Sequence, residues 1–179
     1  MHGTILILLK RYIQTQYDHS TWVNLLELAG LGGATFDHKA VYPDETLYAL
    51  VAQAAAAAGV SAGELHERFG EYLVPDIMYM YQKLVDPAWR TLDMLEHTEH
   101  TMHRQVRREH AENAPPVLAV KRLNANEVQI DYVSARRMGG LAVGIVRGLA
   151  AYYDEADRIA VTPITSADGQ QVSIHVRRN

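Results

Sequence analysis

Asn113-Ala114-Pro115-Pro116 cuts this chain of 179 residues into two stretches with different hydrophobic periods. A proline has no N–H to donate and disfavours helical backbone in the residue before it, so no helix continues through the pair. Upstream, apolar residues recur every three or four positions. This predicts helices over Thr4 to Tyr17 and Thr21 to Ala29, with Gly30 and Gly32-Gly33 as stops. Pro43-Asp44 precedes an alanine-rich run that Gly59 closes, and Ala54–Ala58 suits close helix packing. Ser61-Ala62-Gly63-Glu64 has the spacing of a capping box that opens another helix. Pro75 is expected to kink or end that helix, and Asp86-Pro87 to start a long one running to about His110.

Downstream, the period falls to two. Val117 to Arg122 and Val128 to Ser134 read as strands around an Asn124-Ala125-Asn126 turn, and Leu141 to Tyr153 returns to helix. Arg158–Thr165 and Gln171–Arg177 read as strands flanking the hairpin signal Asp168-Gly169. The expected fold is α+β: a helical part, then a four-stranded antiparallel sheet with one inserted helix. At this length the expectation is a single domain, 1–179, burying roughly two thirds of its unfolded surface.

Composition removes several function classes. A net charge of −4 and a pI near 6.1 leave no excess of Lys and Arg to follow a nucleic-acid backbone. No stretch approaches the ~20 apolar residues of a membrane span, and the opening MHGTILILLKRYIQ reverses the order of a signal peptide. A soluble cytoplasmic protein is expected. With no cysteine, disulfides, thiolate nucleophiles and thiolate metal sites are absent, so any metal must use His, carboxylate or Tyr.

Two groups of residues carry chemistry. If Val128 to Arg136 is one strand, Tyr132, Ser134 and Arg136 project from the same face. Two hydroxyls and a guanidinium are costly to bury without an acceptor, and the planar guanidinium matches a carboxylate. The second group lies on the long helix, which carries His97, His100, His103 and His110. At about 100° per residue, His103 and His110 point towards the apolar stripe of Leu92, Leu95, Met102 and Val106, while His97 and His100 fall on the polar face. His110, at the helix end, reads as a cation on the helix dipole. For His103 the ordinary alternative is a hydrogen-bonded core histidine. A zinc site from His97, His100 and His103 would have to span about 9 Å between the outer pair, an awkward reach for bonds of about 2.0 Å. Asp93, Glu96 and Glu99 read as solvated charges, and no nucleophile elbow or phosphate loop is present. Gly139-Gly140 before the helix of Leu141 reads as an anion-binding terminus or, in preference, as close packing against a strand or a bound group.

Taken in order, Met1-His2-Gly3, Trp22, Leu25-Leu26 to Leu31, Phe69-Gly70-Glu71-Tyr72, His103, Pro116 and Tyr132-x-Ser134-x-Arg136 resemble the heme-nitric oxide/oxygen binding (H-NOX) family. This family provides the heme sensor of soluble guanylate cyclase and of bacterial stand-alone homologues. The resemblance implies heme b, with His103 as proximal iron ligand and Tyr132, Ser134 and Arg136 gripping the propionates. It implies that Pro116 presses on the porphyrin and that Ile5, Leu9, Leu73, Leu141 and Ile145 line the gas pocket. Residues 1–60 would form a mainly helical distal part, and 61–179 the proximal helix and the sheet.

Oxygen-binding members of the family place a tyrosine where this chain has Leu141 and polar residues where it has Leu9 and Leu73. Bound O2 needs a hydrogen-bond donor, whereas NO and CO do not, so a sensor of NO and CO without a stable O2 complex is expected. The resemblance further implies that NO weakens the bond to His103 and moves the long helix. No kinase, cyclase or receptor segment is present, so the expected output acts in trans on a partner such as a histidine kinase or a cyclic-di-GMP enzyme. Two other readings are a peroxidase-type heme enzyme and a metal-free interaction domain.

Overall fold

The computed structural model describes residues 1–109, 115–166 and 170–179. His110, Asn113-Ala114 and Asp168-Gly169, singled out above, lie outside the described residues.

Helices α1 (Gly3–Gln16) and α2 (His19–Leu28) are opened by side-chain caps. His2 accepts from the Thr4 amide, and Asp18 accepts from the Thr21 amide at 2.7 Å. In α3 (Asp44–Ala58) the alanine run divides by face: Ala54 and Ala55 are buried and Ala56 and Ala57 exposed. Gly59 then closes the helix at φ 68°. Ser61 caps α4 (Ala62–Met80) by accepting from the Glu64 amide at 3.1 Å.

α4 continues through Pro75 to Met80, so the proline does not end the helix. The hydrogen bond it removes is offset by packing on both sides of it, since Leu73, Val74 and Met78 are all buried. The next helix starts later than Asp86-Pro87. Asp86 instead builds a turn, accepting from the Ala88 amide through its side chain and from the Trp89 amide through its carbonyl. Helix α5 (Thr91–His97) begins where Glu155 accepts from the Thr91 amide at 3.0 Å and Asp93 accepts from the Arg90 amide. A π-helical turn, Glu99–His103, joins it to α6 (Arg104–Glu109).

Strands β1 (Val117–Asn124), β2 (Glu127–Val133), β3 (Ile159–Thr165) and β4 (Gln171–Arg178) form one antiparallel sheet in the order β1-β2-β4-β3. Helix α7 (Gly139–Tyr152) lies between β2 and β3 in the chain. This is the α+β architecture the periodicity predicts. Val128, Ile130 and Tyr132 on β2 pair with Val176, Ile174 and Val172 on β4, and all six side chains are buried on one face.

Buried side chains form two clusters. One joins α1, α2, α3 and the first half of α4; the other joins α5, α7, the sheet and Val74 and Met78 of α4. Helix α7 lies along α4 on Gly140, Gly144 and Gly148. A Cβ added at Gly144 would stand 2.0 Å from the Glu67 carbonyl oxygen. Gly140 therefore packs on a helix, against Gly63 and His66, and not on a strand or bound group.

Candidate functional site

Between the two clusters lies a cavity of about 520 Å³ with predominantly apolar walls. That volume is typical of cofactor and ligand sites. His103, Pro116, Tyr132, Arg136, Ile5, Leu141 and Ile145 all line it, so helices α1 and α7, the π-helical turn and the sheet meet at one place.

His103 is held from two sides. Its own backbone amide bonds to the Thr98 carbonyl at 3.1 Å, five residues back, which is the π-helical hydrogen bond. The wider turn changes side-chain direction, so a uniform 100° projection does not carry across it. The Thr98 and Thr101 hydroxyls donate to the carbonyls four residues back, further loosening the regular helix there. The ring Nδ1 lies 3.0 Å from Glu99 Oε2.

Glu99 is not a solvated charge. Its side chain is 14% exposed, and it accepts from the Leu118 amide at 3.1 Å and from the Arg107 guanidinium as well as facing His103. Burial alone would raise its carboxyl. The Leu118 amide, Arg107 and His103 outweigh that and keep the group below its usual range. His103 is shifted down as well, because burial disfavours its cation more than the Glu99 hydrogen bond and charge favour it. Arg107 opposes that cation, and the Pro116 carbonyl beside the ring supports it. An ionised carboxylate can only accept, so the proton between Nδ1 and Glu99 belongs to the ring, and Nε2 is the nitrogen a metal ligand would use.

Strand β2 stops at Val133, short of Arg136. The segment 134–137 forms a turn in which the Arg137 amide bonds to the Ser134 carbonyl and the Arg136 amide to the Ser134 hydroxyl, and Arg137 takes a left-handed φ of 52°. The alternation nevertheless survives the end of the strand: Tyr132, Ser134 and Arg136 are shielded, and Val133, Ala135 and Arg137 are exposed. Burial raises the Tyr132 phenol, against the Ser134 hydrogen bond and the Arg136 charge, so it remains a protonated donor. Arg136 Nε bonds Asp44 Oδ2 at 2.9 Å, and the same carboxylate pairs with the Met1 amine at 2.8 Å. Ser134 touches the group through Arg136 and Tyr132 and is not itself part of the cavity wall.

Two expected wall residues are elsewhere. Leu9 and Leu73 are buried in the helical cluster, and their chain neighbours Leu8 and Val74 line the cavity. The wall also has a polar portion, with His2, Thr4, His38 and Lys39 from the N-terminal part, and Thr98 and Tyr81. Tyr152 is exposed and Tyr153 packs on the second cluster, and neither reaches the cavity. His97 stacks on Trp89 with ring centroids 4.6 Å apart. Glu99 itself was detectable in the sequence as a Glu–His pair at i, i+4.

The donor set suits a heme: the His103 imidazole, fixed at Nδ1 by Glu99, beside apolar side chains, with a phenol and a guanidinium for carboxylates. Residues 2–161 match a family model described as Haem-NO-binding. The structure is similar to the H-NOX protein of S. oneidensis in the Fe(II)NO state, with a TM-score of 0.89 and 19% identity over 100% of this chain and 99% of that one. It is also similar to the unliganded Fe(II) H-NOX protein of K. algicida (0.85, 18%, 100% and 97%) and to a T. tengcongensis H-NOX mutant (0.86, 16%, 100% and 98%). At these identities the likeness is one of fold. No curated protein matches the chain.

Proposed function

The chain belongs to the Haem-NO-binding family, and from that premise we propose a heme b gas sensor that binds NO and CO, does not keep O2, and signals in trans from the cytoplasm. The observation that carries the reading is His103, held at Nδ1 by Glu99, in the wall of an apolar cavity that also contains Tyr132 and Arg136. Bound heme would supply a ferrous iron able to take a diatomic gas.

The chain's own residues do the rest. His103 would offer Nε2 to the metal, and Tyr132 and Arg136, with Ser134 behind them, would hold the propionates. Pro116 forms part of the wall beside the His103 ring. Ile5, Leu141 and Ile145 are aliphatic and give no hydrogen bond to a gas. A donor to a charged acceptor contributes on the order of 1.5–3 kcal/mol, so its absence weakens O2 by about one to two decades in affinity.

His103 lies between α5 and α6, so a change in its bond reaches both helices and β1 through Glu99. Such coupling requires different gas affinities in two conformations. The partner class remains a histidine kinase or a cyclic-di-GMP enzyme. No single helix among the described residues is long and apolar enough to cross a membrane.

The test is an absorption spectrum of the purified heme-loaded protein, reduced without air and then given NO or air. The expected result is a five-coordinate ferrous spectrum that responds to NO and CO and shows no oxy complex in air. A colourless protein would overturn the heme reading. A stable oxy complex would overturn only the selectivity, and Tyr81 would become the donor to mutate first.

A further inference from the structure

We propose that Glu99 is a positioning residue that sets the strength of the bond between His103 and iron, and that Arg107 limits its effect. This rests on the heme reading above. The geometry is a relay of three side chains in contact. Arg107 bonds one carboxylate oxygen of Glu99, and His103 Nδ1 and the Leu118 amide share the other at 3.0 and 3.1 Å. Glu99 is 14% exposed and His103 19%, so solvent screens this charge only partly.

A carboxylate that accepts from Nδ1 draws that proton towards itself and leaves more electron density at Nε2, which makes the imidazole a stronger donor to a metal. The opposing charge of Arg107 pulls density the other way. The arrangement therefore has two controls of opposite sign on one bond. A stronger bond from His103 would be harder to release when a gas is bound, so Glu99 would set how readily His103 lets go. The Leu118 amide gives Glu99 a second task, since loss of the carboxylate would also loosen β1 from the π-helical turn.

The experiment is resonance Raman spectroscopy of the reduced holoprotein. In Glu99→Gln, which keeps the shape and removes the charge, the iron–histidine stretch is expected at lower frequency. Heme affinity should fall about 10- to 100-fold, and a larger five-coordinate fraction should form with NO. In Arg107→Gln the stretch is expected at higher frequency. Opposite shifts support the proposal, because a purely structural role would shift both variants the same way or neither. If Glu99→Gln does not fold, the upward shift in Arg107→Gln still decides. An unchanged stretch in a variant that retains heme overturns this inference alone, whereas wild-type protein that takes up no heme overturns the heme reading and this inference together.

Discussion

Leu8 and Leu9 differ by one position, and yet one faces the cavity and the other the helical core; Leu73 and Val74 divide in the same way. On a helix a single residue turns the side chain by about 100°, so the difference is one of angle and not of composition. Replacing Leu9 with Ala should cost about 2–5 kcal/mol of stability, because the side chain is fully buried and leaves a void. The gas spectrum of the folded fraction should stay unchanged. Ile145→Gln should do the reverse, with a small loss of stability and a shifted CO stretching band. Denaturant titration and infrared spectroscopy of the CO-treated protein check the pair. A shifted band in Leu9→Ala would place Leu9 on the wall after all. Glu99 shows the other limit of reading residues singly: its buried, charged role comes from Leu118 and Arg107, one 19 residues and the other 8 away along the chain.

Most helices and strands follow from local pattern, and the departures have local causes. The π-helical turn at Glu99–His103 leaves no mark in hydrophobic period, because two threonines and a five-residue hydrogen bond create it within an otherwise regular pattern. Pro75 passes through α4 because α4 is gripped on both sides, and α7 comes so close only because glycines face it. That tight contact buries His66, whose Nε2 has no hydrogen-bond partner. Burial alone pushes its pKa down from 6.5 to about 4. The folded state therefore binds its proton less readily than the unfolded chain. Stability is full above about pH 6.5, falls as pH drops towards 4, and the loss amounts to on the order of 3 kcal/mol. His66→Leu should flatten this part of the stability–pH curve, measured by denaturant midpoints between pH 7 and pH 4. A curve as steep as that of the wild type would show that another group is responsible.

Across the whole molecule, a charged group beside the cavity ties the N-terminus and α3 to the turn after β2: the Met1 amine, Asp44 and Arg136, with Asp44 and Arg136 separated by 92 positions. Burial would raise the Asp44 carboxyl, but the amine and Arg136 outweigh it and hold it below its usual range. The stabilisation is thus present above the ordinary carboxylate pKa and is lost as pH falls through the depressed one. Asp44→Asn should lower the melting temperature of the heme-free protein by a few degrees, from a loss of about 1–2 kcal/mol. Heme should restore part of that by giving Arg136 a carboxylate to bind. An equal loss with and without heme would separate Arg136 from the propionates. The amino-acid order alone determined the helical and stranded halves on either side of the prolines and the parity of Tyr132, Ser134 and Arg136. These depend on period, charge and missing donors, which act within a few residues. The cavity itself, the replacement of Leu9 and Leu73 by Leu8 and Val74 in its wall, the carboxylate behind His103 and the salt bridge of Asp44 with Arg136 were decided only when the helices met the sheet. They depend on distances between segments far apart in the chain, and only tertiary packing sets those.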